Sequence, residues 1–371
     1  MKKALVILLT LAVAGGLFAQ TTVTWSGQVE GGIGMLNYGG ADDPVFGTLA
    51  SGSWRNDHRV QIQADGVNAD GTMGFRVRFR AQDIGGSMTP WFHQAWGWVS
   101  LFDGMLEMRG GRVWDTVVNT TTPIVGQELL AHNGVLAILR PMDMLTIGLS
   151  AFATDTLAGA DAWDQGGAGL WAGLGLNLGL ADVRASIRAT HLTTDALVGV
   201  EVSAIENLPI HLQARFWDLQ DFGDYGELLF HGFVGLNIIQ DLNITLGAAI
   251  GMSMNDNVDD PFMAFGGWLE FLGLGNIVPR VDVWYAQGGE FVLYGLAASA
   301  SVVDTAGMTF NSDQQYISVR PALRFRATAT SFWEVGGIFN IELGDDPASG
   351  GNPANDDNFS WGLFTGVRVV F

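Results

Sequence analysis

Residues 75–82 read Phe75-Arg76-Val77-Arg78-Phe79-Arg80-Ala81-Gln82. Apolar side chains hold one parity, and three arginines and a glutamine hold the other. Successive side chains of a strand point to opposite faces, so the period of two makes this a strand with one apolar and one strongly cationic face. Alternate arginines stand about 6.6–6.8 Å apart along such a face. If the apolar face meets lipid, the arginines must meet water. On the lipid face each would cost about 2–4 kcal/mol at the bilayer midplane.

The same rhythm recurs along the chain. Near the start, Val23, Trp25, Gly27, Val29, Gly31, Ile33 and Met35 alternate with Thr24, Ser26, Gln28 and Glu30. Val183, Ala185, Ile187 and Ala189 alternate with Arg184, Ser186, Arg188 and Thr190. Ile210, Leu212, Ala214 and Phe216 alternate with His211, Gln213 and Arg215. Ile317, Val319, Leu323 and Phe325 alternate with Ser318, Arg320, Arg324 and Arg326. At the end Trp361, Leu363, Thr365, Val367, Val369 and Phe371 share one parity, and Phe371 is the last residue. Such a strand can pair with the first and remove the open edge of the sheet.

Composition points the same way. Hydrophobic residues make up 48% of the 371 and charged residues only 15%, with 51 glycines. A soluble domain carries nearer a quarter charged residues. Beyond the first twenty residues no apolar run approaches the ~20 needed for a spanning helix. Apolar residues dispersed by alternation suit a closed transmembrane β-barrel, which satisfies its backbone between strands. The expected fold is therefore all-β, a transmembrane antiparallel barrel.

The N-terminus sets the compartment. Lys2 and Lys3 precede the apolar stretch Ala4 to Leu17, and Leu17-Phe18-Ala19 before Gln20 reads as a cleavage site. This is the pattern of a secretory signal peptide over 1–19, leaving 20–371 as one barrel domain. With no cysteine, the chain has no disulfide, thiolate metal site, cysteine nucleophile or lipid-anchoring cysteine. Both lysines lie in the signal, so sixteen arginines face 38 acidic residues in the remainder. That acidity argues against nucleic-acid binding.

The connections are of two kinds. Asp103-Gly104, Arg140 to Asp143, Ala181-Asp182, Ile205 to Pro209, Gln240-Asp241, Gly273 to Asn276 and Ala327 to Ser331 read as tight turns. Asn37 to Ser53, Asp115 to His132, Thr154 to Gln165, Asp218 to Glu227 and Gly344 to Asn358 read as longer polar loops. Short turns at one rim and longer loops at the other match outer-membrane barrels. Period-two matching gives about nineteen candidate strands, whereas a bacterial single-chain barrel has an even number. The least regular segment is Phe291 to Val302; assigned to an external loop it leaves eighteen, and merging two other segments as well gives sixteen. Eighteen is favoured.

Several stretches resemble the general porins of diderm bacteria. Val23-Thr24-Trp25-Ser26-Gly27, followed by Gly31 and Gly34, is similar to their first strand. His93 to Gly104 and then Met105 to Arg112 resemble a hairpin whose second strand ends in Gly-Arg, here Gly111-Arg112. Phe371 matches their C-terminal assembly signal. The resemblance covers the first third and the last strand. It implies a water-filled channel for passive diffusion of small hydrophilic solutes and ions. It also implies residence among outer-membrane lipid of a diderm bacterium, insertion by the outer-membrane assembly machinery, and a homotrimer. In that family the long loop after the fifth strand narrows the pore. By position this is Asp115 to His132, whose acids are Asp115 and Glu128.

The candidate pore-lining residues follow from parity. Arg76, Arg78 and Arg80 read inward, as does Arg59, which shares parity with Gln61, Gln63 and Asp65. Arg109 reads inward with Glu107. Arg112 has the opposite parity and reads as a strand-end residue whose long side chain reaches water. These arginines form either a cationic wall that biases anions or merely solvated lumen residues; charged rings set selectivity only at a constriction. The thirteen tryptophans read chiefly as an interfacial girdle, with Trp96, Trp98 and Trp217 as the alternative makings of a sugar-contacting track. No metal, cofactor or nucleotide site is expected. The histidines are scattered, Asn255 to Asp260 lacks the full calcium-loop pattern, and no Gly-rich turn opens a helix. No spacing selects a catalytic triad, so enzyme activity is not expected. The rival readings are a sugar- or organic-anion-specific channel and an adhesive or structural outer-membrane barrel.

Overall fold

The computed structural model describes residues 21–37, 45–49, 59–84, 87–114, 131–153, 167–254, 262–287, 315–343 and 359–371. The strands are β1 (Thr21–Asn37), β2 (Val45–Leu49), β3 (Arg59–Asn68), β4 (Met73–Ile84), β5 (Ser87–Leu101), β6 (Leu106–Trp114) and β7 (Ala131–Met142). They continue as β8 (Leu145–Ala153), β9 (Ala168–Asn177), β10 (Ala181–Thr190), β11 (Thr194–Val202), β12 (Ile210–Trp217) and β13 (Glu227–Leu236). The last are β14 (Leu242–Ser253), β15 (Phe262–Phe271), β16 (Ile277–Gln287), β17 (Gln315–Arg326), β18 (Phe332–Glu342) and β19 (Phe359–Val370). One helical turn, α1 (Phe222–Tyr225), lies in the β12–β13 connection. Among the described residues no helix is long and apolar enough to cross a membrane.

From β3 to β19 each strand pairs antiparallel with the next, and β19 pairs with β1 from Gln28↔Val370 to Asn37↔Trp361. The ring is closed. The odd number of segments conceals an even number of strand positions. β3 pairs with residues 21–30 of β1, and β2 pairs with residues 32–36 on the same edge. β2 and β3 thus share one position, and the barrel has eighteen. Sequence periodicity also gives eighteen, but by assigning Phe291 to Val302 to a loop, and that segment lies outside the described residues.

Burial shows which way each parity points. Val29, Ile62, Phe79, Leu149, Leu170, Leu212, Leu246, Phe265, Leu323 and Leu363 are exposed, while Gln63, Arg80, Ser150, Asp195, Gln213, Glu270, Asp282, Arg324 and Glu334 on the other parity are buried. A soluble protein buries the former and exposes the latter. The inversion is the signature of a barrel whose outside is apolar and whose lumen is polar.

The short connections collect at one rim. Residues 69–72, 102–105, 143–144, 178–180, 203–209, 237–241, 272–276 and 327–331 all join strands there. Two lie slightly away from the sequence reading. Arg140 to Met142 belong to β7, and Ala181-Asp182 open β10, because the chain turns at Leu178-Gly179-Leu180 instead. In the β5–β6 hairpin, Met105 N–H donates to the Phe102 carbonyl at 3.1 Å, with φ of +55° at Asp103 and +91° at Gly104. Positive φ at both central residues matches the right-handed twist of the strands, and Asp-Gly adopts it readily. The opposite rim carries mostly longer connections, with residues 85–86 and 191–193 as short exceptions.

Candidate functional site

The inner wall is the only surface where charged side chains concentrate among the described strands. Arg59, Arg76, Arg78, Arg80, Arg109 and Glu107 all stand on it by register: Arg76 opposes Trp96, Arg78 opposes Gln94, and Arg109 opposes the buried Leu136. Asp115 and Glu128 lie outside the described residues. Fourteen inward arginines face ten inward carboxylates among the described strand side chains, a surplus of four positive charges. Yet the whole chain carries −20. The acidity therefore belongs to the connections, and the wall itself is cationic.

Three groups of residues divide this wall. On β3 to β7, Arg76 pairs with Asp65 at 2.5 Å. Arg78 donates to Gln63 Oε1 at 2.7 Å, and Arg80 to Gln61 Oε1 at 2.9 Å. Arg109 and Arg140 converge on Glu107 at 2.5 and 3.2 Å. The glutamines hold these guanidinium groups in place without cancelling their charge. Arg76 and Arg109 also flank Trp96, at 5.5 and 5.7 Å from the ring centre, within cation–π range.

On β15 to β18 the charges neutralise one another. Glu270 meets Arg280 at 3.3 Å and Arg324 at 2.9 Å. Asp282 meets Arg280 at 2.6 Å. Glu334, 1% exposed, meets Arg320 at 3.1 Å and Arg324 at 2.7 Å. Such a network fixes its side chains and leaves little net field, because each buried charge is paired. The sequence shows Arg320, Arg324 and Arg326 by parity, but not Glu270, Asp282 and Glu334. Those three come from separate strands, and only the register brings them together.

On β10 to β13, Arg188 pairs with Asp195, and Arg215 stacks over Trp217 at 4.3 Å. His231 opposes Gln213 and is 4% exposed, with neither ring nitrogen hydrogen-bonded. Buried polar atoms of this kind call for partners among water or solute. His231 was legible only as an isolated histidine, since its setting depends on the β12–β13 register.

The tryptophans correct the girdle expectation. Trp96, Trp98, Trp171, Trp217, Trp268 and Trp284 lie on the inward parity, whereas Trp25, Trp333 and Trp361 lie outward. The inward set includes the buried Trp96 and Trp171, which pack with Val113, Leu136, Ile138, Phe152 and Leu197. Strand parity decides this. Most of these tryptophans alternate with lipid-facing residues rather than sharing their face.

Arg112 is the exception among the arginines. It opposes Ala95 on β5 and Asn133 on β7, and all three share the outward parity. It is the only one of the fifteen described arginines that points away from the lumen.

Phe371 continues the seam beyond β19. Gly27 N–H donates to the Phe371 carbonyl at 2.7 Å, and Phe371 N–H donates back to Gly27 at 3.0 Å.

A closed, eighteen-position barrel with an apolar exterior and a charged lumen defines a protein of the outer-membrane porin fold. Solved structures of that class superpose on most of this chain. OccAB3 of Acinetobacter baumannii aligns over 95% of this chain and 100% of its own, with a TM-score of 0.55 at 11% identity. OccD3 (OpdP) of Pseudomonas aeruginosa covers 94% and 91%, with a TM-score of 0.54 at 10% identity. OpdO of the same organism covers 94% and 97%, at 0.55 and 9%. The likeness is one of fold. No protein-family model and no curated protein matches the chain.

Proposed function

We propose that this protein is an outer-membrane porin, a water-filled channel for passive diffusion of small hydrophilic solutes and ions. The observation that carries the reading is the inverted polarity of a closed barrel: apolar side chains outside and fourteen arginines inside. The β3–β7 arginines, Arg59, Arg76, Arg78, Arg80 and Arg109 with Glu107, line the conducting path and bias it towards anions. The paired charges of β15 to β18 serve chiefly to hold the wall. The chain is exported by a signal peptide over 1–19, reaches the outer membrane of a diderm bacterium, and is inserted by the assembly machinery that reads Phe371. It works as a trimer, with Asp115 and Glu128 on the loop that narrows the pore.

A second reading, a solute-specific channel on the same frame, is favoured by the six inward tryptophans among the described side chains and by Arg76 and Arg109 flanking Trp96. Aromatic faces beside guanidinium groups bind solutes with an apolar face and an anionic end. Liposome swelling tests the two. Uptake of neutral sugars and amino acids falling smoothly with size supports the general porin. Uptake confined to one chemical class supports the specific channel, and no uptake by folded protein refutes both.

A further inference from the structure

Arg112 points out of the barrel, into a cavity of about 490 Å³ lined by Phe92, Ala95, Gly111, Arg112, Asn133 and Gly134. Gly111, with φ +125°, and Gly134 border it on the opposite parity, each with its Cα side packed against the backbone of the neighbouring strand. Phe92 forms an apolar rim and packs edge-on against Phe79 at 5.9 Å. Arg112 and Asn133, directly opposed on neighbouring strands, supply a cation and an amide donor.

The height of this notch identifies its surroundings. Arg112 stands six residues above Leu106, where β6 leaves its short turn, and two below Trp114. Six residues of a strand tilted by about 40° rise roughly 15 Å. The apolar band of such a barrel is ≈ 25 Å tall. Arg112 is therefore in the outer half of the band, and its long side chain reaches towards the headgroups on the side of the longer connections. A guanidinium there is stabilised by an anion, and phosphate is the anion that a membrane surface offers. Arginine matches it bidentately, and Asn133 adds a donor.

We infer that the Arg112–Asn133 notch binds the phosphate of an outer-leaflet lipid headgroup, with the adjoining acyl chain lying along Phe92. The site rests on membrane placement and not on conduction, so it stands or falls independently of the channel reading.

The test is native mass spectrometry of the folded, full-length barrel in mild detergent. It is titrated with diphosphorylated lipid A, with phosphatidylcholine, or with inorganic phosphate. The wild type is expected to retain one lipid A at least five-fold more tightly than Arg112→Gln, with Asn133→Ala intermediate. Arg112→Lys keeps much of the binding and controls for misfolding. Phosphatidylcholine should not distinguish the variants. Equal retention of lipid A by wild type and Arg112→Gln overturns the inference. So does equal competition by inorganic phosphate, which marks a free-anion site. So does a loss of oligomers in Arg112→Gln without loss of lipid, which marks a contact between copies.

Discussion

Gly27 is the position where the closing seam is most sensitive. Its hydrogen bonds to Phe371 bring the terminal residue alongside β1, and a Cβ added at Gly27 would collide with the Phe371 ring at Cζ. The same Cβ would lie 2.8 Å from Phe371 Cε2 and 2.8 Å from the Gln61 carbonyl of β3. The ring can swing into lipid; the carbonyl is fixed by the ladder. Overpacking of this kind typically costs 1–3 kcal/mol. Alanine recovers about 0.4–1 kcal/mol by restricting the unfolded chain. Gly27→Ala should therefore lose about 1–2 kcal/mol. With a urea dependence of about 2–3 kcal/mol/M, the midpoint falls by roughly half a molar. The assay is urea unfolding of the barrel in lipid vesicles, followed by tryptophan fluorescence and heat-modifiable electrophoretic mobility. Phe371→Ala removes the ring half of the collision, so the double variant should be more stable than additivity predicts by about 0.5–1 kcal/mol. Strict additivity, or a Gly27→Ala barrel as stable as the wild type, would refute this account of the seam.

Other consequences are open to measurement. Replacing Arg76, Arg78 and Arg80 together by serine reduces the surplus of inward positive charges from four to one. The reversal potential in a salt gradient should move towards cation selectivity, and an unchanged potential assigns these arginines to solvation alone. Glu334→Gln leaves Arg320 and Arg324 beside each other with one carboxylate fewer; loss of a buried partner costs about 3–5 kcal/mol, visible as a lower thermal midpoint. A midpoint within experimental error of wild type would show that the network contributes no stability. Gly111→Ala forces a side chain into φ +125° and against the Ala95 carbonyl, and it should reduce the folded fraction in vesicles by more than Gly110→Ala, where a Cβ meets nothing. Phe371→Ala should lower the yield of assembled barrel in cells, and normal yield would remove its assembly role.

Much of this architecture is legible in the residues because a membrane barrel has few degrees of freedom. Once Arg76, Arg78 and Arg80 alternate with Phe75, Val77 and Phe79, lipid and water fix which face is which. The C-terminal alternation from Trp361 to Phe371 likewise foretells the seam with β1. Connection ends are less legible, since strands run past the apolar band. Ala181-Asp182 look like a turn, yet they extend β10, because Leu178-Gly179-Leu180 turns first. Register between distant strands cannot be read from alternation at all. Glu270, Arg324 and Glu334 belong to β15, β17 and β18, and nothing local places them within 2.9 Å of one another in pairs. The tryptophans mislead for a related reason. Counting them suggests a girdle, but parity assigns Trp96, Trp98, Trp171, Trp217, Trp268 and Trp284 to the lumen. Strand number was legible as eighteen, although β2 and β3 share a position that no periodicity reveals.

The central claim is conduction through an arginine-lined lumen, and single-channel recording in a planar bilayer tests it most directly. Purified, folded protein should give discrete ohmic steps, with sugars and organic anions added in turn to separate general diffusion from a specific site. Steps insensitive to millimolar solute support the general porin, and saturable block by one class supports the specific channel. Absence of any steps from protein that is demonstrably folded would contradict the account and leave an adhesive or structural barrel in its place.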